Sequence, residues 1–297
     1  MTATEVRMML EAGIITFALH TEARIASLLG EGFYTIGPCG EELLASIGML
    51  LRPDDPMALH YRHVAAQVAR QLKAGRSMDD ILLDRARGYV VSSLDPVTGG
   101  AHCAIGGGRH DMLVTSTLAS QTTPAVGRAL ALGLAHYLKV PCLSPRDAVS
   151  FVSVGDGSVN NAHFLSGINL AHYASYHNLR CPVVFAISNN EICISLKGNR
   201  YLTQDFIKRL RMPVFIADGS NMFDVFKSTR QALDKARSTL GPVTIVYDRL
   251  PRRFGHAATD RQSAYLTPDE ITCAADNNPL AGVCVCVCVC VCVCVCV

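Results

Sequence analysis

The chain contains neither an uninterrupted apolar run long enough for a membrane span before residue 283 nor an excess of charge of one sign. A transmembrane helix needs about 18 or more predominantly apolar residues, so we predict no membrane partner. The 27 Lys+Arg residues nearly balance the 25 Asp+Glu residues, and they are spread along the chain. Without a basic stripe, the sequence does not indicate a nucleic-acid binder.

Zinc-ligand spacing is also absent. Seven of the 13 cysteines alternate with valine between Cys284 and Cys296, which leaves six in the rest of the chain. Those six, which show no CxxC spacing, are Cys39, Cys103, Cys142, Cys181, Cys193 and Cys273. We interpret them as reduced thiols of an intracellular protein.

The first residues show no targeting signal. They have neither the apolar segment nor the small-residue cleavage site of a signal peptide, and Glu5 and Glu11 disfavour an Arg-rich transit peptide. We therefore expect a soluble intracellular protein. The expected compartment is the cytoplasm, or the mitochondrial matrix if the source is eukaryotic.

Strict Val-Cys alternation occupies residues 283–297, as an uninterrupted TG dinucleotide repeat would encode. We interpret this segment as a low-complexity tail attached to a single domain of residues 1–282. Its apolar, uncharged, β-prone character makes it an aggregation and oxidation liability. A genuine terminal strand is the alternative interpretation.

The first half of the chain is predicted to be mainly helical. Apolar residues recur at helical spacing over residues 4–29, and Gly30 ends that pattern. Two further helices are predicted at 40–51 and 63–74. The stretch 86–123, rich in Gly, Ser and Thr, is predicted to be a loop, and long loops are often functional.

From about residue 148, short β-rich runs alternate with helical stretches. The strands are predicted at 149–154, 183–188, 214–217 and 243–247, and the helices at 161–177 and 222–239. Such alternation predicts an α/β fold with a doubly wound, mainly parallel sheet flanked by helices. In sheets of this kind ligands bind beyond the carboxyl ends of the strands.

Polar residues follow two of these predicted strands. Gly155-Asp156-Gly157 comes directly after one, and Asn190 comes at the end of the next. Glycine lets the backbone approach a diphosphate, and the carboxylate and amide oxygens suit Mg²⁺. A lone Gly-Asp-Gly is a common turn, so the pairing with Asn190 is what favours a Mg-diphosphate site.

Together with motifs around residues 60–62, 115–127 and 254–265, this pattern resembles the alpha subunits of pyruvate and branched-chain 2-oxo acid dehydrogenases. The resemblance runs from about Ala12 to Tyr265 and is greatest to the alpha half of fused alpha-beta forms. It implies a thiamine diphosphate-binding fold, with thiamine diphosphate and Mg²⁺ as cofactors.

The resemblance assigns the magnesium ligands to Asp156, Asn190 and the backbone carbonyl of Ile192. It also places Gly157 and Ser158 beside the cofactor. The family usually has Gly or Arg where this chain has Glu191. A carboxylate there would add negative charge near the diphosphate.

The same resemblance implies that Tyr61 and Arg62 hold the diphosphate, through a hydroxyl and a charge-assisted guanidinium fork. Ser116 and Leu118 would contact the cofactor from the Ser/Thr-rich loop. In some relatives that loop also binds potassium. The corresponding residues here are Thr115, Thr117, Ser120 and Gln121.

Two histidines match active-site histidines of the family. His256, in Phe254-Gly255-His256, would contact the diphosphate and assist acyl transfer, and His102 is the second match. Ala257 stands where regulated relatives have a phosphorylated serine, so that switch is expected to be absent. The other eight histidines are predicted to be surface or satisfied structural residues.

The function implied by the resemblance is oxidative decarboxylation of a 2-oxo acid with acyl transfer to lipoyl groups. The site would be shared with a beta subunit in an alpha2beta2 assembly that serves a lipoyl-bearing acyltransferase core. Gly40-Glu41-Glu42 favours branched-chain 2-oxo acids over pyruvate on resemblance. The alternatives are a truncated, noncatalytic cofactor-binding or dimerisation fragment, and a transketolase-like thiamine enzyme.

Overall fold

The computed structural model describes residues 1–32, 36–38, 40–100, 105–106, 109–114 and 117–283. Three predicted site residues, His102, Thr115 and Ser116, lie outside the described residues. The Val-Cys tail beyond Val283 lies outside them as well.

A five-stranded parallel sheet forms the centre of the molecule, with strand order β1-β2-β3-β7-β6. In chain order its strands are β1 Met57–Ala58, β2 Ser150–Gly155, β3 Val183–Ser188, β6 Val214–Asp218 and β7 Val243–Asp248. Every residue of β3 is buried, as expected for a central parallel strand covered on both faces. The predicted α/β class and mainly parallel sheet are confirmed.

Nine α-helices occur in the described part of the chain. They are α1 Ala3–Leu29, α2 Ala45–Leu50, α3 Val64–Lys73, α4 Met78–Tyr89, α5 Thr122–Leu138, α6 Ala162–Tyr176, α7 Tyr201–Gln204, α8 Met222–Thr239 and α9 Pro268–Asp276. α1 begins with a capping box between Thr2 and Glu5 and ends at Gly30, whose φ of 78° is left-handed. The helix predicted at 4–29 is thus confirmed.

Two of the predicted segments differ in extent from the elements in the structure. The segment predicted as a helix at 40–51 begins with a 3₁₀ turn, Glu42–Leu44, before α2. Gly40 stays outside that turn with a left-handed φ of 111°. The loop predicted at 86–123 is shorter, because α4 continues to Tyr89 and α5 begins at Thr122.

Two β elements were not predicted at all. β1 has two residues and pairs with β2, and an antiparallel hairpin joins β4 Ile192–Cys193 to β5 Leu196–Lys197. Such short strands carry no detectable period-2 pattern, because their partners rather than their own sequences determine them.

The helices pack on the sheet in two groups. α5 contacts β1, β2 and β3 and packs against α6, whereas α8 contacts β3, β6 and β7 and packs against α2. Leu280 and Val283, close to the Val-Cys tail, are buried in the same core. Among the residues that the structure describes, no helix is both long enough and apolar enough to cross a membrane.

The carboxyl ends of the central strands lie at one level. Gly155 of β2 pairs with Ser188 of β3, which in turn pairs with Tyr247 of β7. Residues that follow these strands therefore emerge side by side, at the edge where α/β sheets bind ligands.

Candidate functional site

A cavity of about 300 Å³ opens at the carboxyl ends of the strands. Nine of the residues predicted from the sequence lie on its wall: Tyr61, Arg62, Leu118, Asp156, Gly157, Ser158, Asn190, Ile192 and His256. The fold thus brings together residues that are up to 195 positions apart in the chain, from Tyr61 to His256.

Asp156 and Asn190 meet where β2 and β3 end. The Asp156 carboxylate accepts the backbone N–H of Gly157 at 2.8 Å and that of Asn190. The Asn190 side-chain oxygen accepts the N–H of Ile192 at 3.0 Å. These three predicted ligand positions are therefore linked to one another by short hydrogen bonds.

Burial, together with the nearby carboxylates of Glu41 and Glu191, raises the pKa of Asp156 to about 6, against the lowering effect of the hydrogen bonds. Negative charge is thus concentrated on this wall of the cavity. A bound cation would favour the ionised form of Asp156.

Gly157 is required by a close approach of the β4–β5 hairpin. A Cβ at this position would lie 2.0 Å from the Cys193 sulfur and 2.9 Å from the Cys193 Cβ. The glycine thus allows the hairpin, which carries Ile192, to close over the end of β2.

Glu191, the departure from the family pattern, does not lie on the wall of this cavity. Its carboxylate accepts the Asn189 amide at 2.8 Å and the backbone N–H of Arg200 at 2.7 Å. The side chain therefore stabilises the base of the hairpin. Its charge still acts on the pKa of Asp156.

Arg62 and His256 also line this cavity. The buried Arg62 guanidinium donates to the Gly37 carbonyl at 2.9 Å, to His256 Nδ1 at 2.9 Å and to the His256 carbonyl at 3.0 Å. Because guanidinium is only a donor, Nδ1 must be the acceptor. The His256 proton is therefore on Nε2.

Burial, together with the positive charges of Arg62 and Arg252, lowers the pKa of His256 to about 4, while Asp260 opposes this shift. The imidazole is consequently neutral in the ligand-free site. The His256 backbone N–H donates to Asp260 at 2.6 Å, which fixes the loop.

Arg252 lies between the hairpin and the His256 loop. It donates to the carbonyl of Ile194 at 2.6 Å and to that of Ile192 at 3.3 Å, and its other nitrogen contacts Asp260 at 3.2 Å. The guanidinium is buried, so it connects the two loops that follow β3 and β7.

The Ser/Thr-rich turn before α5 is placed next to the cavity through Leu118. The Thr117 carbonyl accepts the N–H and hydroxyl of Ser120. Gln121 is buried and donates to the Ser153 carbonyl of β2 at 2.9 Å, while its side-chain oxygen has no hydrogen-bond partner. With Thr115 undescribed, the predicted potassium set stays a prediction.

Sequence reasoning missed several residues on the cavity wall: Ile36, Glu41, His60, Cys193, Ile194 and Arg252. His60 follows β1, which was not predicted, and Arg252 acts through contacts with the β4–β5 hairpin, so neither had a usable signal in the sequence. The prediction for the remaining histidines is wrong for His20, which is buried and whose ring nitrogens have no hydrogen-bond partner among the described residues.

A cavity at the carboxyl edge of a parallel sheet, lined by both acidic and cationic side chains, is typical of an α/β protein that binds an anionic ligand together with a cation. The chain belongs to the dehydrogenase E1 component family, whose sequence model matches residues 28–283. The family predicted from the sequence is confirmed.

The curated relatives include alpha subunits of 2-oxo acid dehydrogenases. The 2-oxoisovalerate dehydrogenase subunit alpha of Bacillus subtilis (strain 168) is 28% identical over 240 residues, which cover 73% of this chain and 68% of that subunit. The mitochondrial pyruvate dehydrogenase E1 component subunit alpha of Saccharomyces cerevisiae is 30% identical over 51% of this chain and 34% of its own length. The human mitochondrial 2-oxoisovalerate dehydrogenase subunit alpha is 30% identical over 55% of this chain and 34% of its own length.

Solved structures with the same fold include transketolases. A Pichia stipitis transketolase complexed with sedoheptulose 7-phosphate aligns with a TM-score of 0.59 at 17% identity, covering 94% of this chain and 44% of that one. The Leishmania mexicana transketolase aligns with a TM-score of 0.55 at 18% identity, covering 93% and 46%. This likeness shows the fold alone.

Proposed function

We propose that this chain is the diphosphate- and magnesium-binding half of an enzyme that oxidatively decarboxylates a 2-oxo acid and transfers the acyl group to lipoyl groups. One observation carries the proposal: Asp156, Asn190, Arg62 and His256 all line a single cavity. The alpha-subunit relatives support it.

The residues present fit magnesium and a diphosphate. The concentrated negative charge around Asp156 suits a cation, and the carboxylate, amide and carbonyl oxygens of Asp156, Asn190 and Ile192 are ligands that Mg²⁺ prefers. The guanidinium of Arg62 and the Nε2–H of His256 provide donors for phosphate oxygens. Gly155 and Gly157 keep side chains away from the backbone edge.

Thiamine diphosphate, when bound, supplies the carbanion chemistry that cleaves the bond to CO₂. The protein residues provide position and charge. Arg62 holds His256 with its proton on Nε2, so that His256 can donate a hydrogen bond from Nε2 to a phosphate oxygen. Leu118 and Ile194 present apolar surface to the same space.

The proposal includes a beta subunit, an alpha2beta2 assembly and a lipoyl-bearing acyltransferase core. The outward surfaces of α5 and α6 support a partner chain: Gly127, Ala131 and Leu134 on α5 and Tyr173 and Tyr176 on α6 are exposed and uncharged. Large exposed apolar patches mark interaction sites. Potassium binding by the turn at 117–121 is part of the proposal, supported by the unpartnered Gln121 oxygen.

An activity assay tests this proposal. The chain is combined with a candidate beta subunit, thiamine diphosphate and Mg²⁺, and CO₂ release is measured with pyruvate and with a branched 2-oxo acid. We expect turnover only with the partner, and the branched acid to be preferred. Arg62→Ala should lower kcat/KM by at least about 100-fold, the scale of one lost charge-stabilising group.

The matched control is Arg209→Ala, because Arg209 is exposed and does not line the cavity. It should leave kcat/KM within about twofold of the unmodified value, since exposed ion pairs contribute little. Turnover of ketose phosphates instead of 2-oxo acids would favour the transketolase-like alternative. A folded chain without turnover in any combination would favour the noncatalytic fragment.

A further inference from the structure

Three buried residues converge beside the cavity without having a role in the proposed chemistry. Glu41 precedes the 3₁₀ turn at 42–44, and His60 and His63 lie between β1 and α3. Their exposed fractions are 2%, 4% and 0%. One potential ligand atom from each residue lies within 4.8 Å of those of the other two.

The distances between these potential ligand atoms are close to those between the ligand atoms of a metal site. His63 Nε2 lies 3.0 Å from Glu41 Oε2. Ligand atoms of a tetrahedral zinc ion, with bonds of 2.0–2.2 Å, are about 3.4 Å apart. The widest pair therefore needs to close from at most 4.8 Å to about 3.4 Å, a shift within the reach of side-chain rotation.

The polar atoms of this cluster are incompletely paired. Among the described residues, the buried Nδ1 atoms of His60 and His63 have no hydrogen-bond partner. Within the same part of the chain, Glu41 forms an ion pair with His63. A buried carboxylate needs a compensating positive charge, and a metal ion held by these side chains would supply it.

We propose that Glu41, His60 and His63 bind a divalent transition-metal ion, with Zn²⁺ as the best match. Two imidazoles and a carboxylate are a donor set that zinc takes with one position left open. Glu41 and His60 lie on the cavity wall, so the metal site would border the cavity. The oxygen ligands around Asp156 suit Mg²⁺ instead, and the two sites select different ions.

The inference is independent of the proposed function, and metal binding tests it directly. The background is the full chain with the tail cysteines at alternate positions from Cys284 to Cys296 changed to Ser, because thiolates also bind zinc. Zn²⁺ and Co²⁺ are titrated in excess Mg²⁺, and Co²⁺ absorption reports tetrahedral coordination. We expect one ion per chain.

The variants His60→Gln and His63→Gln should each weaken Zn²⁺ binding by more than about 100-fold, the upper end of losses from altered ligand support. His163→Gln is the matched control, because His163 is exposed on α6. Neither that variant nor Asp156→Ala should change the affinity for Zn²⁺.

Anomalous diffraction at the zinc edge on the unmodified full chain locates the ion even if a variant fails to fold. A peak among Glu41, His60 and His63 supports the proposal. A peak at Asp156, no bound ion, or full affinity in folded His60→Gln and His63→Gln variants would overturn it.

Discussion

His20 shows how one buried side chain links the fold to pH. It lies in α1 against the Phe254 ring, with ring centroids 5.4 Å apart, and neither imidazole nitrogen is hydrogen-bonded. Burial, together with the charges of Arg24 and Arg62, lowers the pKa of His20 to about 3. The folded chain therefore keeps His20 neutral under conditions where the unfolded chain protonates it.

We predict that His20→Leu reduces the acid sensitivity of folding. A lowered folded-state pKa gives stability that is present above about pH 6.5 and is lost as the pH falls towards 3. Between pH 6.5 and 4.5 the unfolding free energy of the unmodified chain should fall by about 2–3 kcal/mol more than that of His20→Leu. Urea denaturation at several pH values measures this difference.

The control for this prediction is His163→Gln, which removes an exposed imidazole. The unfolding free energy of this variant should change with pH in the same way as that of the unmodified chain. Equal pH dependence in His20→Leu and in the unmodified chain would show that His20 is not held neutral by the fold.

At the residue scale, local sequence predicts the parts of the site that follow recognisable strands. Asp156 and Asn190 could be paired because each follows a β-rich run. The role of Arg252 could not be predicted in this way, because it depends on contacts with the carbonyls of Ile192 and Ile194, about 60 positions earlier in the chain. Nothing local distinguishes a buried Arg or Glu from an exposed one.

At the scale of elements, two helical glycines differ in their surroundings: one is tightly packed against a neighbouring helix and the other is not. A Cβ on Gly48 of α2 would lie 1.9 Å from the Ala66 carbonyl oxygen of α3. A Cβ on Gly127 of α5 would meet nothing within 4 Å. Gly48 therefore allows two helices to touch, whereas Gly127 has no intramolecular packing role.

We predict opposite effects of the same substitution at these positions. Gly48→Ala should destabilise the chain by about 1–3 kcal/mol, because the backbone of α3 cannot easily move aside for the added methyl group. Gly127→Ala should stabilise the isolated chain by about 0.5–1 kcal/mol through helix propensity. Thermal and urea unfolding of both variants measure this.

The two variants serve as controls for each other, because the chemical change is identical. Similar losses of stability in both would mean that α2 and α3 do not approach as closely as described. A loss in Gly127→Ala alone would place a packing contact on the outward face of α5.

Long periodic elements could be predicted, and short ones could not. α1, α6 and α8 lie within a few residues of the prediction because their length repeats the apolar period many times. The two-residue strands β1, β4 and β5 depend on β2, on each other and on Arg252. Their conformation is set by tertiary contacts.

At the scale of the whole molecule, Asp55 ties three distant segments together. It is fully buried, accepts the N–H groups of Arg52 and Val149 at 2.8 and 2.9 Å, and pairs with Arg237 of α8. The pair therefore connects the segment before β1 to the second half of the sheet.

We predict that Arg237→Ala destabilises the chain by about 3–5 kcal/mol, because it leaves a buried carboxylate uncompensated. Arg249→Ala is the control, since the Arg249 side chain is 69% exposed in its pair with Asp218 and should contribute less than about 1 kcal/mol. Urea unfolding measures both. Equal effects of the two substitutions would contradict a structural role for the Asp55 pair.

The fold class follows from the alternation of strands and helices along the chain, but the strand order does not. β7 lies between β3 and β6 although it comes last in the chain, and helix packing across the sheet determines that position. Site residues from both halves of the chain meet only because β1, β2, β3 and β7 are neighbours.

The account rests on the binding of Mg-thiamine diphosphate in the cavity formed by Asp156, Asn190, Arg62 and His256. Calorimetric titration of the chain with thiamine diphosphate and Mg²⁺, alone and then with a beta subunit, tests this most directly. The account predicts weak binding alone, tighter binding with the partner, and loss of binding in Asp156→Ala but not in the exposed control Asp205→Ala. No binding under either condition by a chain shown to be folded would contradict it.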